Sequence, residues 1–312
     1  MKGSFEALLD ALRDSSTMPE QKLLYYLSDL EREDAARVHQ IWGTLDVELR
    51  RQLVTRLVEL AEADFKVDFG AVFRLGLADG DAEVRAASIE GLWEDEDVRL
   101  VPLLAVRLIE DEAIIVRAAA ATSLGRFILL GELKKIRPDP LTTAYEALLV
   151  SYQNPREHVE VRRRALESLA YADNETVAGL IGEAYAVPDE KLHVSAVFAM
   201  GRSADPRWAP QVQQELFSPD PELRYEAARA CGELQIPEAV DDLEELTKDA
   251  DQEVQEAALW ALGQIGGDKA RAILEYYCLS EDEATRCAAE AALDELEFLH
   301  GDLSELFTRL IK

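Results

Sequence analysis

The sequence contains 312 residues, and 48% of them are hydrophobic, which is enough apolar material for a large core or for several packed units. Its 33 basic and 62 acidic residues give a formal net charge of −29. Such a charge repels phosphate groups, so it argues against nucleic acid and anionic membranes as partners. Simple solubility explains the charge, and selection of a basic protein partner is the alternative.

The N-terminal residues lack the composition of a targeting segment. Phe5, Glu6 and Asp10 stand where a secretory signal would have a long apolar run, and no stretch of the chain approaches a membrane span. We therefore expect a cytoplasmic protein that does not enter a membrane. The cysteines form no Cys-x-x-Cys pair and are predicted to be free, mostly buried thiols: Cys231, Cys278 and Cys287.

Residues 1–67 are predicted to form a helical cap. Its first amphipathic face contains Phe5, Leu8, Leu9 and Leu12. The segment Asp46-Val-Glu-Leu-Arg50 has the pattern of the motif that recurs further along the chain. One degenerate repeat is therefore a candidate part of this cap.

A short motif recurs through residues 68–298. Each copy has an acidic or turn residue, an aliphatic residue, a polar residue that we call the marker, and then small residues. The markers are Arg85, Arg117, Arg162, His193, Arg224, Gln255 and Arg286. Their successive differences are 32, 45, 31, 31, 31 and 31, which indicates a repeating unit of 31 residues.

The spacing within each copy predicts a helix. Small residues stand three positions after the marker and larger apolar residues stand seven after it, which is one face of a helix. Aspartates four residues before the marker are predicted to cap the helix N-terminus: Asp81, Asp189, Asp220, Asp251 and Asp282. Glycines eight residues after the marker are predicted to be left-handed C-terminal residues: Gly125, Gly201, Gly232 and Gly263. A second apolar-periodic segment precedes each marker helix, so each unit should be a helical hairpin.

The 45-residue interval holds 14 residues beyond the basic 31, and an insertion is predicted near residues 127–140, where Pro138 and Pro140 interrupt helix. This part of the chain is locally basic. A secondary basic patch for an acidic partner is predicted at Arg156, Arg162, Arg163 and Arg164. Pairing of these side chains with acidic neighbouring repeats is the alternative.

Residues 299–312 are predicted to form a short C-terminal capping helix. Its apolar face contains Leu303, Leu306, Phe307, Leu310 and Ile311. Docking of a partner or of a second copy of the chain is the alternative role for this face.

The motif Asp220-Pro-Glu-Leu-Arg224, followed by paired alanines and a glycine, resembles the HEAT-like repeats of the phycobilisome-lyase type. The resemblance covers residues 68–298. It implies an all-α fold, an α-solenoid of about seven to eight antiparallel helical hairpins stacked into a curved superhelix. This repeat type serves scaffolds, lyase subunits and a metal-dependent hydroxylase alike, so the resemblance leaves the function open.

No catalytic motif, metal site or cofactor site is predicted. Deoxyhypusine hydroxylase is built from repeats that resemble these and binds iron through His-Glu dipeptides, but none of the four histidines here precedes a glutamate: His39, His158, His193 and His300. A bilin-lyase-like or chaperone-like subunit that acts on a chromophore protein remains an alternative, which rests on the resemblance alone.

A non-enzymatic scaffold or adaptor that binds a protein of unknown identity is the favoured function, with a monomer as the favoured oligomeric state. Positions one and five after the marker should point away from the apolar face, toward the concave inner-helix side. This predicts a partner-binding surface of Val194, Phe198, Tyr225, Arg229, Glu256 and Trp260. Burial of the aromatic rings between repeats is the alternative. The marker arginines are predicted to be structural, bonding to carboxylates or carbonyls of the next repeat.

Overall fold

The computed structural model describes residues 2–14 and 17–300, and these residues form helices without any strand. The chain divides into two compact units, Met1–Leu169 and Ala170–Lys312. The predicted capping helix at 299–312 lies outside the described residues, except that 299 and 300 belong to the last described helix.

The first unit contains ten described α-helices and one 3₁₀ turn at Tyr25–Leu27. The helices are α1 (Lys2–Arg13), α2 (Gln21–Leu24), α3 (Arg32–Trp42), α4 (Val47–Ala63), α5 (Gly70–Gly76), α6 (Ala82–Gly91), α7 (Leu100–Glu110), α8 (Ile114–Glu132), α9 (Pro138–Gln153) and α10 (Val159–Leu169).

The second unit contains eight described α-helices and two 3₁₀ turns, at Pro206–Trp208 and Pro237–Ala239. The helices are α11 (Glu175–Ala186), α12 (Glu190–Arg202), α13 (Ala209–Glu215), α14 (Pro221–Glu233), α15 (Val240–Leu246), α16 (Gln252–Ile265), α17 (Gly267–Tyr277) and α18 (Glu283–His300).

From α5 onward the helices pair into hairpins, and we call the first helix of each hairpin A and the second B. Helix α4, which precedes these hairpins, packs against α6 and is counted as a B helix. In the first unit the consecutive B helices contact one another in the pairs α4–α6, α6–α8 and α8–α10. In the second unit the pairs are α12–α14, α14–α16 and α16–α18. The predicted all-α solenoid of antiparallel hairpins is thereby confirmed, because stacked neighbours bury the apolar face that one hairpin would leave exposed.

The predicted aspartate caps are present at the B helices. The side chain of Asp81 accepts hydrogen bonds from the backbone amides of Glu83 and Val84. Asp189, Asp220 and Asp251 accept equivalent bonds. Such caps satisfy amides that have no partner inside the helix. The small residues three positions after each marker are fully buried: Ser88, Ala120, Ala165, Ala196, Ala227, Ala258 and Ala289.

The prediction for the glycines is wrong. Gly201, Gly232 and Gly263 lie inside α12, α14 and α16 rather than at left-handed ends. A Cβ at Gly263 would stand 2.5 Å from the carbonyl oxygen of Ala292 in the next B helix. These glycines are therefore sites of close helix approach. The left-handed residues follow three positions later in each case: Ala204, Gln235 and Gly266.

Marker arginines join consecutive hairpins, as predicted. Arg85 donates to both carboxylate oxygens of Asp111, at 2.8 and 2.7 Å, and its third nitrogen donates to the Asp79 carbonyl of its own hairpin turn. The same link recurs between other marker positions and the turn of the following hairpin, in the pairs Arg50–Asp79, Arg117–Glu157 and Arg224–Asp249. Each acceptor carboxylate is largely buried.

Two marker arginines depart from that prediction. Arg162 donates to the Tyr152 carbonyl and Arg286 donates to the Ser280 carbonyl, and both acceptors belong to the arginine's own hairpin. Gln255, a marker without charge, likewise donates to the Asp249 carbonyl. The marker arginines and Gln255 therefore bond to a carbonyl of their own hairpin, and several of the arginines also bond to a carboxylate in the turn of the next hairpin.

The extra residues of the 45-residue interval lie in two longer helices and the turn between them. Helix α8 continues to Glu132, and Pro138 occupies the first position of α9. Proline is favoured at that position because its missing amide has no helical acceptor there.

Helix α8 is also long and apolar enough, by length and composition, to cross a membrane, so the expectation that no stretch approaches a membrane span is wrong. In the fold α8 contacts α6, α7, α9 and α10. A core helix that packs against several neighbours needs apolar residues on most of its faces, so it has the same composition as a membrane-spanning helix.

The cysteines are free thiols, as predicted, but only one of the three is buried. Cys231 is buried, and burial raises the pKa of its thiol to about 12. Cys278, directly after α17, is half-buried, and Cys287 on α18 is exposed.

Candidate functional site

The predicted partner-binding residues lie on α12, α14 and α16, and they differ in exposure. Val194 is only 3% exposed, so it cannot contact a partner. Most residues of α12 are buried, so the helix is covered on more than its predicted apolar face, and Val194 lies within the covered part. Phe198, Tyr225, Arg229 and Trp260 are half-buried, and Glu256 is exposed.

A groove with a volume of about 600 Å³ runs along α14, α16 and α18. Its walls include Tyr225, Arg229 and Trp260, and we call it the Trp260 groove. The structure therefore brings three of the predicted residues together, with Glu256 on the rim. Helix α18 completes the groove with small residues that were absent from the sequence prediction: Ala288, Ala291 and Ala292.

The ring of Trp260 is held from two sides. The guanidinium carbon of Arg229 lies 3.6 Å from the ring centroid, which is a close cation–π contact. A Cβ at Gly232 would stand 2.6 Å from the ring, so only glycine leaves room for it against α14. The ring thus packs between helices and also lines the groove, and partner binding by the aromatic residues stays a prediction.

A second arginine–aromatic stack lies one helix earlier. The guanidinium of Arg202 lies 5.2 Å from the ring centroid of Phe198, and it pairs with Glu233 at 3.1 Å. Burial raises the pKa of Glu233, and the charges of Arg202 and Arg229 oppose that rise. A small cavity of about 90 Å³ lies between these residues and Tyr225. The stacked side chains therefore continue from α12 to α16.

The groove is electronegative at its rim. Glu253, Glu256 and Glu295 line it and are exposed. Arg229 is the one basic residue among its lining residues, and the attraction of Glu233 offsets that charge. Carboxylates therefore dominate the field inside the groove.

His193 is a marker whose surroundings the sequence did not predict. Its ring stacks on Tyr185 with centroids 4.4 Å apart, and its Nε2 lies 3.2 Å from Oε1 of Glu215. The Tyr185 hydroxyl donates to the same oxygen at 2.6 Å, and burial with this bond raises the pKa of Tyr185. His193 therefore takes the place of a marker arginine, and the cluster joins α11, α12 and α13.

The predicted basic patch does not converge on one surface. Arg163 pairs with Glu160 at 3.5 Å, and Arg164 pairs with Glu160 and Glu167. Arg162 bonds to a carbonyl and stacks on Tyr152. Only Arg156, in the turn before α10, is exposed. Internal pairing therefore uses the charge that the prediction assigned to an acidic partner.

A second groove, of about 550 Å³, lies in the first unit along α6, α8 and α10. Trp93, Ile114 and Ile115 are exposed in it. The sequence analysis missed this groove. The aliphatic pair at the start of α8, directly after the Asp-Glu-Ala turn, was the available signal.

No group of three or more histidine, cysteine, aspartate or glutamate side chains within the described ranges is arranged to hold a metal ion.

Residues 209–294, which include α13 to α16 and most of the last hairpin, match the family model of HEAT repeats. No curated protein matches the sequence. One similar solved structure is the complex of CpcE and CpcF of phycocyanin lyase from Nostoc sp. PCC7120, at 18% identity over 73% of this chain and 94% of that chain, with a TM-score of 0.48.

Two further similar structures are a human enzyme and a design. Human deoxyhypusine hydroxylase has 19% identity over 85% of this chain and 96% of that chain, with a TM-score of 0.38. A designed armadillo repeat protein has 20% identity over 63% of this chain and 99% of that chain, also with a TM-score of 0.38. The family match over residues 209–294 and the stacked hairpins bear out the predicted resemblance to HEAT-like repeats.

Proposed function

We propose that this protein is a non-enzymatic scaffold or adaptor, and that it binds a protein partner on the B helices of its second unit. The observation that supports the proposal is the Trp260 groove, where Tyr225, Arg229 and Trp260 line one recess. Tyrosine, arginine and tryptophan are the residue types enriched among energetically dominant interface residues.

The fixed position of Trp260 favours binding. Gly232 and Arg229 already hold its ring, so a partner would not have to order that side chain. Ordering a side chain at an interface costs about 0.5–1.5 kcal/mol, and preorganisation avoids this cost. The ring is nevertheless half-buried rather than enclosed, which leaves surface for a partner.

Site-specific photocrosslinking tests the surface. A benzophenone amino acid at Ala291, an exposed residue of the groove, should capture a partner in the native host. The same group at Ala272, an exposed residue of the A helix α17, is the matched control and should capture little.

The captured partner is then purified and its affinity is measured. Trp260→Ala should weaken binding at least ten-fold, which corresponds to about 1.4 kcal/mol at a central interface residue. Tyr225→Ala is the second variant if Trp260→Ala lowers the melting temperature. Equal crosslinking at both positions, or unchanged affinity in both variants, would contradict the proposal.

A lyase-like or chaperone-like role on a chromophore protein stays a prediction from the resemblance. Incubation of the protein with a bilin should then change the absorbance of the bilin. An unchanged absorbance spectrum would count against that role.

A further inference from the structure

We propose that the Trp260 groove binds a lysine or arginine side chain of an extended basic segment in the partner protein. This inference rests on the proposed function, since it assigns the chemistry of the partner that the same groove would bind.

The groove carries negative charge that no described basic residue pairs with in an ion pair. Glu253 and Glu295 form no ion pair with any residue in 2–14 or 17–300, and Glu256 only accepts a hydrogen bond from Gln252. Many carboxylates elsewhere in the chain pair with arginine, as Asp111 and Asp249 do. No cation in residues 2–14 or 17–300 therefore occupies the groove carboxylates.

The shape and lining of the recess fit a long side chain. Alanines at 257, 288 and 292 leave the space that larger side chains would fill. The aromatic walls, Tyr225 and Trp260, offer apolar surface to the methylene stem of a long side chain. A lysine or arginine buries such a stem while its charged head stays near carboxylates or water.

Arg229 is the one basic residue that lines the groove, and its charge is already engaged. Its guanidinium stacks on Trp260 and is attracted by the buried Glu233, so it does not neutralise the rim. An acidic segment would meet three carboxylates at the rim and, at longer range, the net charge of −29. A basic segment is attracted at both distances, which raises its association rate as well as its affinity.

Fluorescence anisotropy with three labelled decapeptides tests the inference. Their sequences alternate alanine with lysine, with glutamine or with glutamate. The lysine peptide should bind the full chain, and the glutamine and glutamate peptides should bind at least about ten-fold more weakly. Raising the salt from about 0.05 to 0.5 M should weaken the lysine peptide further, because it shortens the Debye length.

A matched pair of triple variants separates the groove from the general charge. Glu253→Gln, Glu256→Gln and Glu295→Gln together should weaken the lysine peptide at least about ten-fold. The control replaces the exposed Glu190, Glu238 and Glu275 by glutamine, which changes the net charge equally, and should change the affinity less than about two-fold.

Equal losses in both triple variants would overturn the inference, and so would equal binding of the three peptides or no binding of the lysine peptide. Failure of this inference can be distinguished from failure of the proposed function. A partner captured at position 291 that binds through a neutral or acidic segment would support the scaffold and exclude the basic segment.

Discussion

At the residue scale, the marker arginines are the most regular polar contacts of this fold. Each guanidinium that meets a carboxylate of the next hairpin also donates to a carbonyl of its own turn, so one side chain fastens two connections. Bidentate arginine–carboxylate pairs are strong and geometrically specific. Their acceptors are largely buried, which makes the removal of one partner costly.

Arg85→Met should lower the free energy of unfolding by about 2–4 kcal/mol, because it leaves the Asp111 carboxylate buried without its counter-charge. Urea unfolding of the two proteins measures the difference. Arg99→Met is the control, since Arg99 is 87% exposed and pairs with Asp97, and it should change the free energy of unfolding much less than Arg85→Met does. Similar losses of unfolding free energy in both variants would show that the buried ion pair contributes no more to stability than the exposed one.

Asp81 predicts a stability change at low pH. The hydrogen bonds from Arg51, followed by those from two backbone amides, lower the pKa of Asp81 to about 2 from its ordinary 3.8. A lowered pKa in the folded state stabilises the protein above the unfolded value, and this contribution is lost as the pH falls from about 4 to 2.

Thermal melts between pH 5 and 2 check that expectation. Asp81→Asn removes the titrating group and keeps a side-chain oxygen for the cap, so its melting temperature should fall less steeply over this range. Parallel curves for the two proteins would mean that Asp81 does not contribute to the acid sensitivity.

At the element scale, the spacing of neighbouring B helices depends on glycine. In α14 and α16 the glycine lies against the backbone of the next B helix, and a methyl group there would collide. Glycine in a helix interior otherwise costs about 0.5–1 kcal/mol relative to alanine. The close approach offsets that cost by bringing two helix backbones into contact.

Gly263→Ala should therefore destabilise the protein by about 1–3 kcal/mol, since its Cβ would stand 2.5 Å from the Ala292 carbonyl oxygen and α18 would have to move. Gly179→Ala in α11 is the opposite case. No atom lies within 4 Å of its added Cβ, so it should stabilise by about 0.5–1 kcal/mol. Urea unfolding gives both signs, and a stabilising Gly263→Ala would contradict the contact.

The capped B helices were predictable from the sequence. The role of the glycine that recurs eight residues after the marker was not. The motif around Asp220 and Arg224 predicts a capped helix because both residues act within one turn of it. Gly232, in contrast, has the same sequence context whether it ends a helix or contacts another one. Only the position of Trp260 and Ala261 in the following hairpin distinguishes these roles.

At the scale of the whole molecule, the net charge of −29 should oppose folding through self-repulsion. We expect the melting temperature at pH 7 to rise when sodium chloride increases from about 10 to 150 mM, because salt screens exposed charges. The same series near pH 4.5, close to the isoelectric point, is the control and should show a smaller rise. A fall at pH 7 would mean that screened ion pairs outweigh the repulsion.

The sequence by itself determined the hairpin, its caps, its buried small residues and its period, because each depends on residues close together in the chain. It also placed Tyr225, Arg229 and Trp260 on a common face. The tertiary structure alone decided that Val194 is buried, that Arg163 and Arg164 pair internally, and that α18 completes the groove. The reason is physical: exposure and charge pairing depend on which helix packs against a residue, and that neighbour lies one or more repeats away.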